Sequence, residues 1–471
     1  METGMRPLLM LPEMLVFGGG LVVLISGSFL ARRRQWWARG VAAAALCGAI
    51  AVAVVGMAGP DRTAFDGTFA ADTATGVARI VVMVGTLLVL AVAAGEIAGS
   101  VRESETYALL LFCTAGVMVL AGADDLLVLV TGYLLAGIPL YGLIGLVRSA
   151  KGAEATMKAY LIGALFGIVL MLGVTVLYGA SGTTRYGDLA AGLGSAPGGA
   201  IAAGLLGVVA GLMFEAGGVP AHFWIPDAAE GANGTAAMFL TTVPKVGALL
   251  ALYRLVDVLP GKTAWPLLVA VIAVASMTLG NLAAYWQHDP RRLLGWSTIS
   301  QVGYLLVPIA VAGRSDLALP SLLFYLAGYT LTNSAAFAVS TALPARRHLD
   351  SYRGLAYVRP WLAGALVVAL LGLVGTPPTA VFIGKLTTAT AAWDGSQAWL
   401  AVVVFVNSVV SLSYYLRWII PSFQRPAEGM RDSVVTAEKW SARTAIVAAG
   451  LSLGLGIAAG AVWEMLPRSL M

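Results

Sequence analysis

Apolar runs about twenty residues long recur along this chain from end to end, parted by short polar joints. A helix needs about 20 such residues to cross the hydrocarbon layer of a bilayer. Lipid offers no partner to backbone N–H and C=O groups, so runs of this length are read as spanning helices. At about 20 residues each, roughly fourteen spans with short loops use up the 471 residues and leave no stretch for a soluble domain. Only 11% of the residues are charged, whereas a soluble domain carries about 25%. The expected fold class is an all-α polytopic membrane protein with about 14 transmembrane helices.

The spans fall near 9–30, 40–58, 78–99, 107–122, 126–146, 156–178, 199–216, 233–256, 264–286, 291–312, 317–342, 359–391, 396–418 and 441–465. The seventh is prolonged by a broken piece around 217–232. The twelfth is broken at Gly375-Thr376-Pro377-Pro378. The joints test this count, because cytoplasmic loops hold an excess of Lys and Arg. Those after spans 1, 3, 5, 9, 11 and 13 carry Arg32, Arg33, Arg34 and Arg39; Arg102; Arg148 and Lys151; Arg291 and Arg292; Arg346, Arg347 and Arg353; and Arg425, Arg431 and Lys439. The opposite joints hold little beyond Arg62, Arg185, Lys262 and Arg314. The bias alternates without exception if both termini face away from the cytoplasm. Arginines that merely flanked helices would not alternate. Arg6 precedes an apolar run without a clear small-residue cleavage site, so that run reads as a first span and not as a removed signal peptide.

Other classes of function find no support. The basic residues are scattered among loops, which argues against nucleic acid despite a pI near 9.2. Cys47 and Cys113 each stand alone in an apolar span, with no CxxC and no iron–sulfur spacing. His222, His288 and His348 are far apart and lack metal-site spacing. No glycine-rich phosphate loop or dinucleotide fingerprint is present.

The stretch Gly211 to Leu250 stands out inside this apolar background. It holds Glu215, His222, Asp227, Glu230 and Lys245 together with Pro220, Pro226 and Pro244. Ionisable groups at membrane depth face a bundle interior or a wet cavity and mark ion or proton paths. Backbone freed by a break must find partners in protein or water. A second break repeats the pattern: Gly218-Val219-Pro220 followed by Phe223 is similar to Gly375-Thr376-Pro377-Pro378 followed by Phe382. Each has a lysine downstream in the membrane, Lys245 and Lys385. The breaks lie five spans apart, and an odd offset turns the second copy over in the membrane. Inverted repeats with broken helices near the midplane are a transporter architecture.

The segment VPAHFWIPDAAEGANGTAAMFLTTVPK (219–245) closely resembles the VPxHxWxPDxxxGAPxPVxAFLxxxxK signature of the proton-conducting antiporter-like membrane subunits of respiratory complex I. Multisubunit cation/proton antiporters and membrane-bound hydrogenases share that signature. Further segments resemble the N-subunit branch of NADH:quinone oxidoreductase: NLAAYWQHDPRRLLGWSTISQVGYLL (281–306), FYLAGYTLTNSAAF (324–337), SYRGLAYVRP (351–360), GTPPTAVFIGK (375–385) and LPEMLVFGGG (11–20). The resemblance implies helices 1–3 over 1–106, a first repeat of helices 4–8 over 107–257, an inverted repeat of helices 9–13 over 264–418, and helix 14 over 441–465. It implies a bacterial cytoplasmic (inner) membrane, other membrane-arm subunits as partners, and no cofactor in this chain. NADH, FMN, iron–sulfur clusters and quinone would then belong to partner subunits.

Carried over residue by residue, the family's helix 8 lysine matches Lys245, its helix 12 lysine matches Lys385, and a basic position at the start of helix 6 matches Lys158. Two positions depart. The helix 5 glutamate falls on Leu134, in GYLLAGIPL (132–140), and the helix 7 lysine falls on Glu215. Both partners of one ion pair have changed, so Glu215 is expected to pair with Lys245 directly or through water.

The remaining residues have plainer readings. His222 is either a relay or a satisfied structural histidine. Asp227 and Glu230 are expected to cap or solvate the break. Lys158 with Glu154 reads as a surface pair. Ser297, Thr298, Ser300 and Gln301 read as polar glue or a water wire. Asp124 and Asp125 read as a solvated turn. The expected function is proton translocation through Lys245 and Lys385, with no redox site in the chain, as part of an oxidoreductase assembly. The alternatives are a subunit of a multisubunit cation/proton antiporter or membrane-bound hydrogenase, or a non-pumping structural subunit.

Overall fold

The computed structural model describes residues 4–259, 264–425 and 438–471; Lys262 and Arg431 lie outside them. In chain order its helices are α1 (Leu11–Phe29), α2 (Trp36–Met57), α3 (Thr73–Glu96), α4 (Glu103–Ala121), α5 (Leu126–Ile144), α6 (Ala150–Ser181), α7 (Tyr186–Leu193), α8 (Gly198–Ala216), α9 (Trp224–Gly231) and α10 (Gly234–Thr242). There follow α11 (Pro244–Asp257), α12 (Trp265–Tyr285), α13 (Pro290–Ala310), α14 (Ala318–Ala342), α15 (Leu355–Val358), α16 (Pro360–Val374), α17 (Ala380–Asp394), α18 (Ala398–Phe423), α19 (Lys439–Ile457) and α20 (Ala459–Glu464). One antiparallel hairpin, β1 (Arg62–Ala64) with β2 (Phe69–Ala71), sits between α2 and α3 in the register Arg62–Ala71, Thr63–Ala70, Ala64–Phe69.

Among the described residues, 13 helical stretches are long and apolar enough to cross a membrane, with α10 and α11 joined as one. The remaining expected span is α16 with α17, halves of one broken crossing. Each expected span therefore has a helical counterpart.

The three most enclosed spans are polar ones, although α3, with a mean hydropathy of 2.5, is largely buried too and α19, at 1.3, is not. The enclosed ones, α10–α11, α13 and α14, have mean hydropathies of 1.5, 1.3 and 1.3, whereas the outward-facing α1, α2 and α6 reach 2.2, 2.3 and 2.4. A lipid-facing helix must be apolar all round, while a polar one has to be wrapped by protein. The hydroxyls and amides of α13 and α14 are thus confined to the centre of the bundle.

One loop differs from expectation. Asp125 is 3% exposed and caps α5, accepting from Leu127 N at 2.7 Å and from Thr184 Oγ1 at 2.6 Å. The cause is the hairpin, which folds over the α4–α5 turn: Ala70 N donates to Gly122 O and Asp124 N to Thr68 O. Asp124, half-buried beside it, has its carboxyl raised by burial.

Candidate functional site

Each break begins with a glycine in the left-handed region, where a Cβ would be penalised. The α8 helix stops at Gly217 (φ 79°) and α16 at Gly375 (φ 95°). In both, the next N–H reaches back five residues: Gly218 N donates to Met213 O at 2.8 Å, and Thr376 N to Leu371 O at 3.1 Å. This is the long bond of a Schellman helix end. The two breaks share this local geometry, but Gly217, not Gly218, stands opposite Gly375, one residue from the alignment read in the sequence.

Lys245 stands where proline chemistry leaves an acceptor open. Pro244 has no N–H, so the carbonyl four residues before it, on Leu240, loses its helical donor. Lys245 Nζ takes its place at 3.2 Å. The side chain is 0% exposed. A Cβ built on Gly217 would lie 3.7 Å from Nζ, so the ammonium reaches the first break.

Glu215, on the last turn of α8, is also enclosed, and neither carboxylate oxygen has a hydrogen-bond partner among the described residues. A Cβ on Gly137 would lie 3.5 Å from Oε2. The carboxylate therefore faces α5 one turn beyond Leu134. The expected direct pair with Lys245 is not formed, because the ammonium turns to the freed Leu240 carbonyl. A buried carboxylate without a protein donor calls for water.

Lys385, on α17, stands at the second break. Its Nζ lies 2.9 Å from Val374 O, 3.0 Å from Leu373 O and 3.3 Å from Ser408 Oγ. The two carbonyls are orphans of the α16 terminus, where the helix dipole also favours a cation. Nζ sits 3.9 Å from the centre of the Tyr304 ring, a cation–π contact. Neither lysine points into lipid or reaches the surface.

A line of polar groups joins the two. Tyr329 OH donates to Thr241 O at 2.6 Å, next to the Leu240 carbonyl, and contacts Thr298 Oγ1 at 3.1 Å. Gln301 follows Thr298 by three residues on α13, hence on the same face about 4.5 Å along the axis. Gln301 Nε2 donates to Leu373 O at 2.9 Å, the carbonyl that Lys385 also holds, and Tyr325 OH donates to Gln301 Oε1 at 2.7 Å. Asn333 Nδ2 adds a bond to Thr242 Oγ1 at 3.0 Å. On the same helix, Thr330 Oγ1, Asn333 Oδ1 and Ser334 Oγ are buried without hydrogen-bond partners among the described residues.

The sequence reading missed Tyr325, Tyr329 and Asn333. Their signal was the spacing of four within FYLAGYTLTNSAAF, which lines three polar groups along one helical face.

Lys158 is placed elsewhere: its partners are Glu154 and Asp227, both at 2.6 Å. His222 is buried against Phe223 and Trp296, with ring centroids 4.2 and 5.8 Å away, and its ring nitrogens have no partner among the described residues. Asp227 and Glu230 do more than solvate the break. Asp227 binds Arg292 at 2.5 Å as well as Lys158, and Glu230 binds Arg292 at 3.1 Å and Lys151. Burial alone would raise both carboxyls, but the bonds from Lys158 and Arg292 hold Asp227, and those from Lys151 and Arg292 hold Glu230, below their ordinary range. No group of three or more His, Cys, Asp or Glu that could hold a metal ion occurs among the described residues.

Residues 123–411 match the family described as NADH:quinone oxidoreductase/Mrp antiporter, TM. The NADH-quinone oxidoreductase subunit N of Mycobacterium sp. (strain JLS) is 71% identical over 98% of this chain and 99% of its own. Subunit N 1 of Streptomyces griseus is 47% identical over 100% of this chain and 99% of its own. Among solved structures, a chain of respiratory complex I from Thermus thermophilus with bound aureothin superposes with a TM-score of 0.83 at 29% identity, covering 96% of this chain and 98% of that one. A chain of the Mrp complex from Dietzia shares the fold, with a TM-score of 0.84 at 24% identity over 98% and 95%.

Proposed function

The chain belongs to the NADH:quinone oxidoreductase/Mrp antiporter transmembrane family, and from that premise we propose that it is a proton-translocating membrane subunit of a complex I-type NADH:quinone oxidoreductase. The observation that carries this reading is the enclosed polar line from Lys245 through Tyr329, Thr298 and Gln301 to Lys385. Two ammonium groups at the ends of one low-dielectric corridor repel each other, so protonation of one favours release from the other. Glu215, reached through water, tunes the Lys245 end. His222 stands at the first break, and Lys158 anchors its surface side. Electron transfer belongs to partner subunits, which hold NADH, FMN, iron–sulfur clusters and quinone.

The matching Schellman ends support two inverted five-helix repeats, over 107–257 and 264–418, with Pro220 and Gly375-Thr376-Pro377-Pro378 at corresponding breaks. The arginine bias supports a bacterial cytoplasmic membrane orientation with both termini outside.

The test is proton transport by the purified native assembly in vesicles. Lys245→Ala and Lys385→Ala are each expected to lower protons moved per electron. A second reading, a structural subunit that does not pump, draws on Leu134 and on the unpaired Glu215. Two variants that assemble and transport like the parent would establish it.

A further inference from the structure

The short helix α9 follows directly on the first break, and the polar line to Lys385 does not include it. It is wedged between two longer helices at backbone distance. A Cβ on Gly231 would lie 2.7 Å from Lys151 O of α6, and one on Gly295 of α13 would lie 2.8 Å from Pro226 Cα. At the polar rim of this wedge, Asp227 and Glu230 meet three cations through four ion pairs: Lys151 and Lys158 on α6 with one each, and Arg292 on α13 with two.

These cations are unequal. The side chains of Lys151 and Lys158 are 73% and 41% exposed, where screening weakens an ion pair. The Arg292 side chain is 33% exposed, and among the described residues it is the one cation that holds both acids. Its Nε also donates to Gln287 Oε1 at 3.1 Å, which fixes the guanidinium plane.

The inner side of α9 touches the first lysine site. Trp224 stacks on Phe214, with centroids 5.0 Å apart, one residue before Glu215. A Cβ on Gly217 would lie 2.9 Å from Ile225 Cδ1 and 3.7 Å from Lys245 Nζ. Along α13, one turn from Arg292, Trp296 meets His222, and the same helix carries Thr298 and Gln301.

We propose that Arg292 is a positioning residue for proton transfer: by holding Asp227 and Glu230 it clamps α9 between α6 and α13, so that the break beside Glu215 and Lys245 stays in register with the helix that leads to Lys385. This rests on the proton-path reading above. It assigns Arg292 no contact with the transferred proton. The clamp acts through α9, whose two glycine-mediated contacts give it little freedom to shift unless the rim opens.

The test uses the full native assembly in phospholipid vesicles, with proton movement and NADH oxidation read together and Lys245→Ala as a control. Arg292→Gln is expected to lower this subunit's share of the protons moved per electron roughly twofold to thirtyfold, the range by which residues outside a site modulate coupling. Arg292→Lys keeps the charge but loses the fork, and is expected to recover part of that loss. A merely structural role would reduce the amount of assembled complex and leave protons per electron unchanged in the assembled fraction; that result overturns the proposal. If Arg292→Gln does not assemble, Glu230→Gln decides, since it keeps the Asp227–Arg292 pair, and an unchanged ratio again overturns it. A Lys245→Ala control that transports like the parent sinks the proton-path reading itself, and the clamp with it.

Discussion

Lys245 and Lys385 both set an ammonium against carbonyls that a helix interruption has freed, yet they are held very differently. Lys245 has one carbonyl, left open by Pro244, and an unpartnered carboxylate on the neighbouring helix end. Lys385 has two carbonyls, a hydroxyl and the face of Tyr304, and no carboxylate bonds to it among the described residues. The first site is sparsely bonded and open to adjustment by water. The second is a preformed cation seat. If the two lysines serve the proposed proton route, the loosely held one is where external events most readily change the proton's affinity, because fewer fixed dipoles compete with them.

This contrast can be broken at several points. Gln301 is the amide that bonds the carbonyl Lys385 holds, so Gln301→Leu should lower this subunit's own share of proton transport roughly a hundredfold, the scale of losing a positioned proton-transfer group. Protons moved per NADH in vesicles would show it. Pro244→Ala restores a backbone N–H to Leu240 O and displaces Lys245. A hydrogen bond to a charged group is worth about 1.5–3 kcal/mol, so a loss of roughly tenfold to a hundredfold is expected in the same assay, larger than for any comparable change beside Lys385. Tyr304→Leu removes a ring worth about 0.5–2 kcal/mol to the Lys385 ammonium, whereas Tyr304→Phe keeps it. The leucine variant should therefore shift the pH profile of transport and the phenylalanine variant should not.

The smallest effect concerns the rim of α9. The Glu230 carboxyl is lowered from its ordinary value of 4.5 against burial by Lys151 and Arg292. A depressed carboxyl stabilises above its unfolded value and loses that contribution as pH falls through the folded one. Thermal unfolding of the parent and of Glu230→Gln should thus differ, by about 1 kcal/mol, at neutral pH and converge in acid below pH 4.5. Equal melting at neutral pH would remove the rim as a contributor.

Much of this was legible in the sequence, for identifiable reasons. Apolar runs near the span length located the helices because lipid tolerates little else. Gly375-Thr376-Pro377-Pro378 and Gly218-Val219-Pro220 showed the breaks because few other residues end a helix so sharply. Lys245 and Lys385 stood out because buried ammonium groups are rare. Partner choice was not legible. Charge counting left Glu215 to meet Lys245 directly or through water, and the direct bond is absent because a proline four residues from Leu240 created a nearer acceptor. Asp125 read as solvated because its cover, the β1–β2 hairpin, comes from a segment more than fifty residues away. Arg254, likewise, meets Asp72 across 182 residues at 2.6 Å, a contact no local pattern announces.

The most direct test of the central claim, that the two lysines serve one route, is a double-mutant cycle on proton transport by the native assembly, comparing Lys245→Ala, Lys385→Ala and the pair. A single route predicts that the double variant is no worse than the more damaging single one, since groups acting in series are not additive. If the two losses instead combine as independent factors, or if neither lysine matters, the route described here does not exist.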